Sequence, residues 1–220
     1  MGFELFDPKA EFSVSEGGKL PHWFQPGVTY FVTFRTADSV PQYLVRSWQQ
    51  RRDVWLRRHG IDPTSPNWRG DLNQNPRAAL EFNDTFEAEF AGWLDQGMGE
   101  CVLAKLELSA IVEECFRSGD ARRYHLGDFV VMPNHVHLLV GLIGMTEIEE
   151  QCRSWKRFSA NKINRLLGRK GRFWQEESFD HLVRSPEQFE YLQRYIADNP
   201  KRAGLKPGQF RHYSIEASQA

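Results

Sequence analysis

The stretch Val-Val-Met-Pro-Asn-His-Val-His-Leu-Leu-Val, residues 130–140, holds the pattern that decides the fold. Side chains alternate between the two faces of a strand, so we expect His135 and His137 to share one face, with valine and leucine on the other. Pro133-Asn134 is a turn signal within the stretch. The pattern therefore predicts a tight hairpin that carries two imidazoles side by side at the start of its second strand.

Two interpretations of this histidine pair follow from its chemistry. Histidine is often only partly buried, so the pair could simply complete one face of a sheet. Imidazole is also a common metal ligand, so the second interpretation is that the two histidines, opposite an apolar stripe, form part of a metal site. Because two ligands do not complete such a site, the second interpretation requires a third ligand elsewhere in the chain.

Length and composition limit the class of protein. A chain of 220 residues with 40% hydrophobic content can bury one good core, which favours a single domain over residues 1–220. The three cysteines contain no C-x-x-C pair, which favours a reduced, cytoplasmic location without a disulfide framework. The first residues are acidic and interrupted by proline, so we expect no signal peptide, and no stretch approaches the length of a membrane span.

Charge is distributed unevenly along the chain. The net charge of −1 argues against a general binder of polyanions. Residues 153–172 nevertheless contain no acid and eight bases: Arg153, Lys156, Arg157, Lys162, Arg165, Arg169, Lys170 and Arg172. Solvated helices usually mix charges of both signs, so this run favours a phosphate-facing surface over a plain solvated face.

Hydrophobic periodicity predicts the remaining elements. We expect strands at residues 28–35, 124–132, 135–142 and 179–184. We expect helices at residues 41–59, 79–94, 101–116 and 147–167, and a last helix that starts after Ser185 and stops near Asn199, since Pro200 follows. Residues 1–27 are predicted to form an irregular arm, residues 62–76 a loop, and residues 37–120 a helical insertion between the first and second strands.

The last predicted helix carries Tyr195 and Asn199. They are four residues apart and therefore share one helix face. The ordinary interpretation is that Tyr195 is a core residue with a hydrated hydroxyl group and that Asn199 ends the helix before proline.

These two sets of residues resemble a known family. His135-Val-His137 after Met132-Pro133-Asn134, followed by Tyr195-Ile-Ala-Asp-Asn199-Pro200-Lys-Arg-Ala-Gly-Leu205, resembles the single-tyrosine HUH transposases, and within them the REP-associated tyrosine transposases. The resemblance covers the first strand and residues 124–205. It implies an α+β fold with a ferredoxin-like antiparallel sheet and helices packed on one face, to which this chain adds the helical insertion.

The resemblance also implies roles for individual residues. His135 and His137 would bind a metal ion, Mg²⁺ or Mn²⁺, and Tyr195 would be the nucleophile. Asn199 holds the position of a glutamine that completes the metal site in related insertion-sequence enzymes. His181 is either an assisting residue near the tyrosine or a structural one.

The implied activity is cleavage and strand transfer of single-stranded DNA through a covalent 5′-phosphotyrosine intermediate. The substrate would be a single strand or a hairpin, held by the basic run, with Trp155, Phe173 and Trp174 either stacking on bases or packing in the core. The protein would work as a monomer or a homodimer. Two alternatives remain, namely a nucleic-acid-binding protein that no longer cleaves and a metal-dependent phosphodiesterase that uses water.

Overall fold

The computed structural model describes residues 3–15, 22–65, 68–176 and 178–215. Parts of the predicted arm, residues 1–2 and 16–21, lie outside the described residues, as do residues 66–67 of the predicted loop.

Strands and helices follow the chain in a mixed order. The strands are β1 (Ser13–Ser15), β2 (His22–Phe24), β3 (Thr29–Arg35), β4 (Tyr124–Val131), β5 (His135–Leu142), β6 (Phe179–Leu182) and β7 (Arg211–Tyr213). The α-helices are α1 (Gln42–Arg58), α2 (Trp68–Asn73), α3 (Pro76–Phe82), α4 (Ala88–Asp95), α5 (Leu106–Arg117), α6 (Ile148–Leu166) and α7 (Pro186–Arg202). A π-helical turn, Asn83–Glu87, joins α3 to α4, and a 3₁₀ turn, Val102–Ala104, precedes α5.

The central sheet is antiparallel, with strand order β6-β3-β5-β4-β7. Its first four strands are connected as β3-α5-β4-β5-α6-β6, which is the ferredoxin-like arrangement of two split βαβ units. The predicted α+β class, the ferredoxin-like antiparallel sheet and the helical insertion between its first two strands are confirmed. The strand bounds agree with the predicted ones to within two residues, and β7 adds an edge strand.

One face of the sheet is covered by α5 and α6, as predicted. Alternate residues of β3 and β5, such as Val32 and Leu138, are fully buried against apolar side chains of these two helices. Trp155, Phe173 and Trp174 belong to the same core, each no more than 5% exposed. These three aromatic residues are therefore core residues, and stacking on DNA bases is the wrong interpretation for them.

The opposite face of the sheet carries α7. Leu192 and Ile196 of this helix pack on Phe31, Met132 and Leu139 from the sheet. The histidines of β5 lie on this second face, so the sheet separates them from α5 and α6.

Most of the predicted insertion has an apolar cluster of its own. Trp48, Leu56, Trp68, Phe82 and Phe86 form this cluster, with contributions from α1, α2, α3 and the π-helical turn. The last predicted helix of the insertion, however, corresponds to α5 and packs into the core of the sheet. The part of the insertion that is not needed for the ferredoxin-like core thus ends before α5.

Two predictions about the insertion were wrong in detail. The predicted helix 79–94 is interrupted by the π-helical turn, where the indole N–H of Trp48 donates to the carbonyl of Phe86 at 3.0 Å. Such turns insert one extra residue into a helix, which shifts the apolar positions that follow. The predicted loop 62–76 contains α2, whose residues Trp68 and Leu72 are buried in the apolar cluster.

The predicted arm and the end of the last helix also differ from expectation. Part of the arm is ordered, because β1 pairs with β2 and Phe6 donates to the carbonyl of Val183. The last helix continues to Arg202, past the predicted stop at Asn199. Proline removes only one N–H donor, and the buried Pro200 lies in the final turn, where its own carbonyl accepts from Leu205 at 2.9 Å.

Within the described ranges, no helix is both long enough and apolar enough to cross a membrane.

A close contact between strands predicts the effect of one substitution. A Cβ atom at Gly127, beside the irregularity of β4, would lie 2.8 Å from the carbonyl oxygen of Leu139. We expect Gly127→Ala to lower the free energy of unfolding by about 1–3 kcal/mol in denaturant titrations. The control, Gly92→Ala, adds a methyl group to open space in α4 and should raise the free energy by about 0.5–1 kcal/mol. Equal effects of the two substitutions would contradict the close contact.

Candidate active site

The hairpin of β4 and β5 holds the two histidines beside one another. His135 and His137 lie on the α7 face of β5, with ring centroids 4.7 Å apart and exposed fractions of 1% and 4%. Cross-strand pairing places His137 opposite Thr33 and His135 opposite Arg35. The predicted shared face is therefore observed.

Each imidazole is held through its Nδ1 atom. His135 Nδ1 lies 2.7 Å from Oδ1 of Asn134, and His137 Nδ1 lies 2.7 Å from the hydroxyl oxygen of Thr33. The Nε2 atom of His135 is buried and has no hydrogen-bond partner among the described residues. Both rings thus use Nδ1 for support, and His135 leaves its Nε2 atom for a ligand.

Helix α7 brings Tyr195 and Asn199 to the same place. The ring centroids of His137 and Tyr195 are 5.1 Å apart. Asn199 is fully buried, and neither atom of its carboxamide has a hydrogen-bond partner in the described part of the chain. Its side chain is close enough to affect the pKa of both His135 and Tyr195. All four residues of the predicted site therefore converge within one chain.

The residues present fit a divalent cation. An unpaired buried polar atom is costly in a folded protein, and here such atoms occur on His135 and Asn199, two of the predicted metal ligands. No cluster of three or more histidine, cysteine or acidic side chains suited to a metal occurs in the described ranges. A site at this position would accordingly use two imidazoles and one carboxamide oxygen.

Burial keeps the imidazoles neutral. It lowers the pKa of His135 to about 3, and it lowers the pKa of His137 well below its usual value, with an added effect of His135. Because a metal ligand must be the neutral imidazole, both histidines have the ionisation state that metal binding needs at neutral pH.

Burial also affects the tyrosine. It raises the pKa of Tyr195 to about 12, and the carboxylate of Asp95 adds to this effect. The guanidinium of Arg202, whose Cζ atom lies 5.6 Å from the centre of the tyrosine ring, acts in the opposite direction. The hydroxyl group is therefore a neutral phenol at physiological pH.

His181 lies on the same face of the sheet, on β6, which is separated from β5 by β3. It pairs with Phe31 across β3 and β6, and Phe31 stacks on His137 at 5.6 Å with an angle of 15° between the rings. Phe31 consequently stands between the two imidazoles. Burial lowers the pKa of His181 to about 4, with further effects of Arg184 and Arg69.

The basic run is not brought to this site. Most of its members lie on α6 or just after it, and α6 packs on the other face of the sheet. Three members form ion pairs with acids from other segments or a neighbouring turn: Lys162 with Glu114, Arg169 with Glu100, and Arg172 with Glu176. Lys156 donates to the carbonyl of Glu176 at 2.6 Å. Arg153, Arg157, Arg165 and Lys170 are exposed.

Several residues of the site were missed in the sequence. Asn134 was interpreted only as part of a turn, and Thr33 only as part of a strand. Strand alternation could have placed Thr33 on a defined face, but not opposite His137, because pairing between strands that are far apart in sequence is not visible in the pattern. The cations on this face, Arg35, Arg69 and Arg202, are scattered along the chain and form no run.

The lowered histidine pKa values predict acid sensitivity of the fold. A histidine that is neutral when folded stabilises the protein above pH 6.5, and this stability is lost as the pH falls towards the folded pKa, about 4 for His181. Each such histidine costs up to about 1.4 kcal/mol per pH unit in this window. We expect urea titrations without metal to show a lower free energy of unfolding at pH 5.5 than at pH 7.5. In His181→Gln, unfolding should take up about one proton fewer, which makes the unfolding free energy depend less steeply on pH. A free energy of unfolding that is the same at both pH values would contradict the lowered histidine pKa values.

The unpaired carboxamide predicts an unusual stabilising substitution. Asn199→Leu replaces a buried polar group that lacks partners with an apolar group of similar size, which should raise the free energy of unfolding by about 1–2 kcal/mol without metal. Asn134→Leu is the matched control, because Asn134 is equally buried but fully hydrogen-bonded, and it should destabilise the fold. Equal losses for both variants would show that Asn199 is an ordinary structural residue. Thermal and denaturant unfolding measure the difference.

Comparisons with known proteins agree with this geometry. Residues 104–199 match the family model described as transposase IS200 like, and this range includes both histidines, Tyr195 and Asn199. No curated protein matches the chain significantly. A solved structure of a REP-associated tyrosine transposase bound to a REP hairpin is 16% identical, and the match covers 84% of this chain and 73% of that chain with a TM-score of 0.42. The predicted resemblance is confirmed as a similarity, in that residues 104–199 of this chain are similar to the IS200-like transposases.

Proposed function

We propose that this protein cleaves and rejoins single-stranded DNA with Tyr195 as the covalent nucleophile, as a REP-associated type of tyrosine transposase. One observation carries the proposal. The phenol ring of Tyr195 lies 5.1 Å from the ring of His137, beside unpaired ligand atoms of His135 and Asn199. A structural tyrosine would not require unpaired polar atoms next to it, whereas a site for a cation and a phosphate would.

The metal-binding residues in this proposal are His135, His137 and Asn199. The imidazoles would bind through their Nε2 atoms, since Thr33 and Asn134 occupy the Nδ1 atoms, and Asn199 would bind through its carboxamide oxygen. Asparagine keeps the oxygen donor of glutamine on a side chain that is one methylene shorter. A bound Mg²⁺ or Mn²⁺ would polarise the scissile phosphate and stabilise charge on the leaving oxygen.

The covalent bonds that form and break in this reaction involve only Tyr195 and the DNA backbone. The phenolic oxygen of Tyr195 attacks the phosphorus atom and gives up its proton to water, the bond from phosphorus to the 3′-oxygen breaks, and the 3′-oxygen takes up a proton from water. The 5′ end of the cut strand is then joined to the tyrosine as a phosphodiester. Attack by a 3′-hydroxyl group on this bond reverses the chemistry, so rejoining requires no nucleotide cofactor.

Proton removal is the demanding part of this step. With a pKa of about 12, only on the order of one Tyr195 side chain in 10⁵ is ionised at pH 7. The proton must therefore leave as the phosphorus–oxygen bond forms, and the guanidinium of Arg202 stabilises the negative charge that develops on the phenol oxygen.

Two groups of cations are available for the substrate. Arg35, Arg184 and Arg202 have ring contacts or charge effects on the face that carries Tyr195, and Arg69 lies on the same face paired with Glu87, so we propose that the scissile strand follows this face. The exposed bases of α6 point away from it. They would contact a part of a folded hairpin that extends beyond the catalytic face.

A covalent-adduct assay tests the proposal. The protein is incubated with Mg²⁺ or Mn²⁺ and a single-stranded hairpin oligonucleotide labelled at its 3′ end, which is the fragment that stays on the tyrosine. We expect a protein–DNA adduct that survives denaturing electrophoresis and is abolished in Tyr195→Phe. Tyr191→Phe is the matched control, since Tyr191 lies one turn earlier on α7, is 58% exposed, and should be dispensable.

The other outcomes assign the other functions. Free cleaved DNA that persists in Tyr195→Phe would show that water is the nucleophile and that the protein is a phosphodiesterase. Binding of the oligonucleotide without cleavage under all metal conditions would show a nucleic-acid-binding protein that has no strand-transfer activity.

A further inference from the structure

We propose that Asn134 is a positioning residue through which the helical insertion sets the orientation and tautomer of His135. The inference rests on the proposed function, in which Nε2 of His135 binds a metal ion. It adds a role for the insertion, most of which precedes the segment 104–199 that matches the transposase family.

The carboxamide of Asn134 joins two parts of the chain. Its Oδ1 atom lies 2.7 Å from Nδ1 of His135. Its Nδ2 atom donates to the carbonyl of Leu94 at 3.3 Å and to the carbonyl of Met98 at 3.0 Å. Leu94 lies in the last turn of α4 and Met98 in the turn that follows, so both acceptors belong to the insertion. Asn134 is 1% exposed; its bonds to His135 and Leu94 are buried, and its bond to Met98 is partly buried.

The two carbonyl groups determine which way the amide points. A carbonyl oxygen can only accept a hydrogen bond, so it requires the NH₂ group of Asn134 on its side. The amide oxygen must then face His135, where it accepts the Nδ1–H of the imidazole. The lone pair of the ring is consequently on Nε2, the buried atom without a partner, which is the tautomer a metal ion at that position needs.

The insertion is fastened firmly at this point. The backbone N–H of Glu100 donates to the carboxylate of Asp38 at 2.8 Å, and the N–H of Leu103 donates to the carbonyl of Pro133 at 3.1 Å. Gly99 has φ +87°, and a Cβ atom there would lie 2.6 Å from the carbonyl oxygen of Asp38. The carbonyl groups of residues 94 and 98 are thereby held at a fixed distance from the hairpin turn.

A purely structural role for Asn134 makes a different prediction. If the amide only satisfied the end of α4, its removal would lower stability without changing the protonated nitrogen of His135. Two readouts separate these roles. One is the affinity for Mn²⁺, measured by electron paramagnetic resonance, and the other is the ¹⁵N chemical shifts of the His135 ring without metal.

The experiment compares five variants with the wild-type protein at pH 7.5, namely two at Asn134, two at glycines and His135→Ala. Asn134→Ala removes the hydrogen bond to His135 and those to the two carbonyl groups. It should weaken Mn²⁺ binding by about 10–100-fold, the usual loss for a residue that supports a metal ligand. It should also give a mixture of His135 tautomers. Asn134→Asp keeps the acceptor but cannot donate to the two carbonyl groups, and should restore the Nδ1–H tautomer.

Two glycine variants test the insertion without touching Asn134. Gly99→Ala forces the turn after α4 away from Asp38 and should weaken Mn²⁺ binding several-fold. Gly60→Ala is its matched control, because Gly60 also has a positive φ, +75°, but a Cβ atom there meets open space. It should leave the affinity unchanged, and this pair decides the matter if Asn134→Ala does not fold.

The possible outcomes distinguish this inference from the proposed function. Unchanged Mn²⁺ affinity and an unchanged His135 tautomer in Asn134→Ala would overturn the inference and leave the proposed metal site standing, as would equal effects of the two glycine variants. Mn²⁺ binding that is absent in the wild type, or unaffected by His135→Ala, would overturn the proposed metal site and this inference with it.

Discussion

The structure depends on one strand that is buried on both faces. All eight residues of β5 are buried, and strand alternation gives its two faces different chemistry. The valine and leucine side chains on one face complete the core under α5 and α6. On the other face, His135 and His137 occupy positions where a protein selected only for stability would place apolar residues. Buried polar atoms are normally hydrogen-bonded, and here the Nδ1 atoms of both rings have a partner whereas Nε2 of His135 has none among the described residues.

Helix α7 brings two further polar residues to the histidines. Its apolar residues Leu192 and Ile196 attach it to the sheet, and the neighbouring positions then place Tyr195 and Asn199 beside the imidazoles. Ser185 caps the first turn of this helix, since its hydroxyl oxygen accepts from the backbone N–H of Gln188 at 3.1 Å. The packing of Leu192 and Ile196 on the sheet thus holds Asn199 in a buried position, although its carboxamide has no hydrogen-bond partner among the described residues.

Local patterns predicted the parts of the fold that depend on local geometry. The shared face of His135 and His137 follows from a period of two residues, and that of Tyr195 and Asn199 from a helical turn. Long-range contacts were not predictable in this way. The bond from Asn134 to Met98 spans 36 residues, and no periodicity reports it. The basic run was interpreted as one surface facing the DNA because residues 153–172 contain eight bases and no acid. Which face of the sheet α6 covers, and which acids reach it from other segments, depends on tertiary packing.

The insertion forms one side of the candidate site. Three of its contacts reach the face of the sheet that carries the histidines at separate points: Met98 at the turn before His135, Phe90 beneath Arg35 at 4.7 Å, and Arg69 over Phe179 at 5.6 Å. Its own apolar cluster makes it stiff enough to keep these contacts together. The insertion therefore keeps α2 and α4 beside the face that carries Tyr195, and most of these residues precede the segment 104–199 that matches the family model.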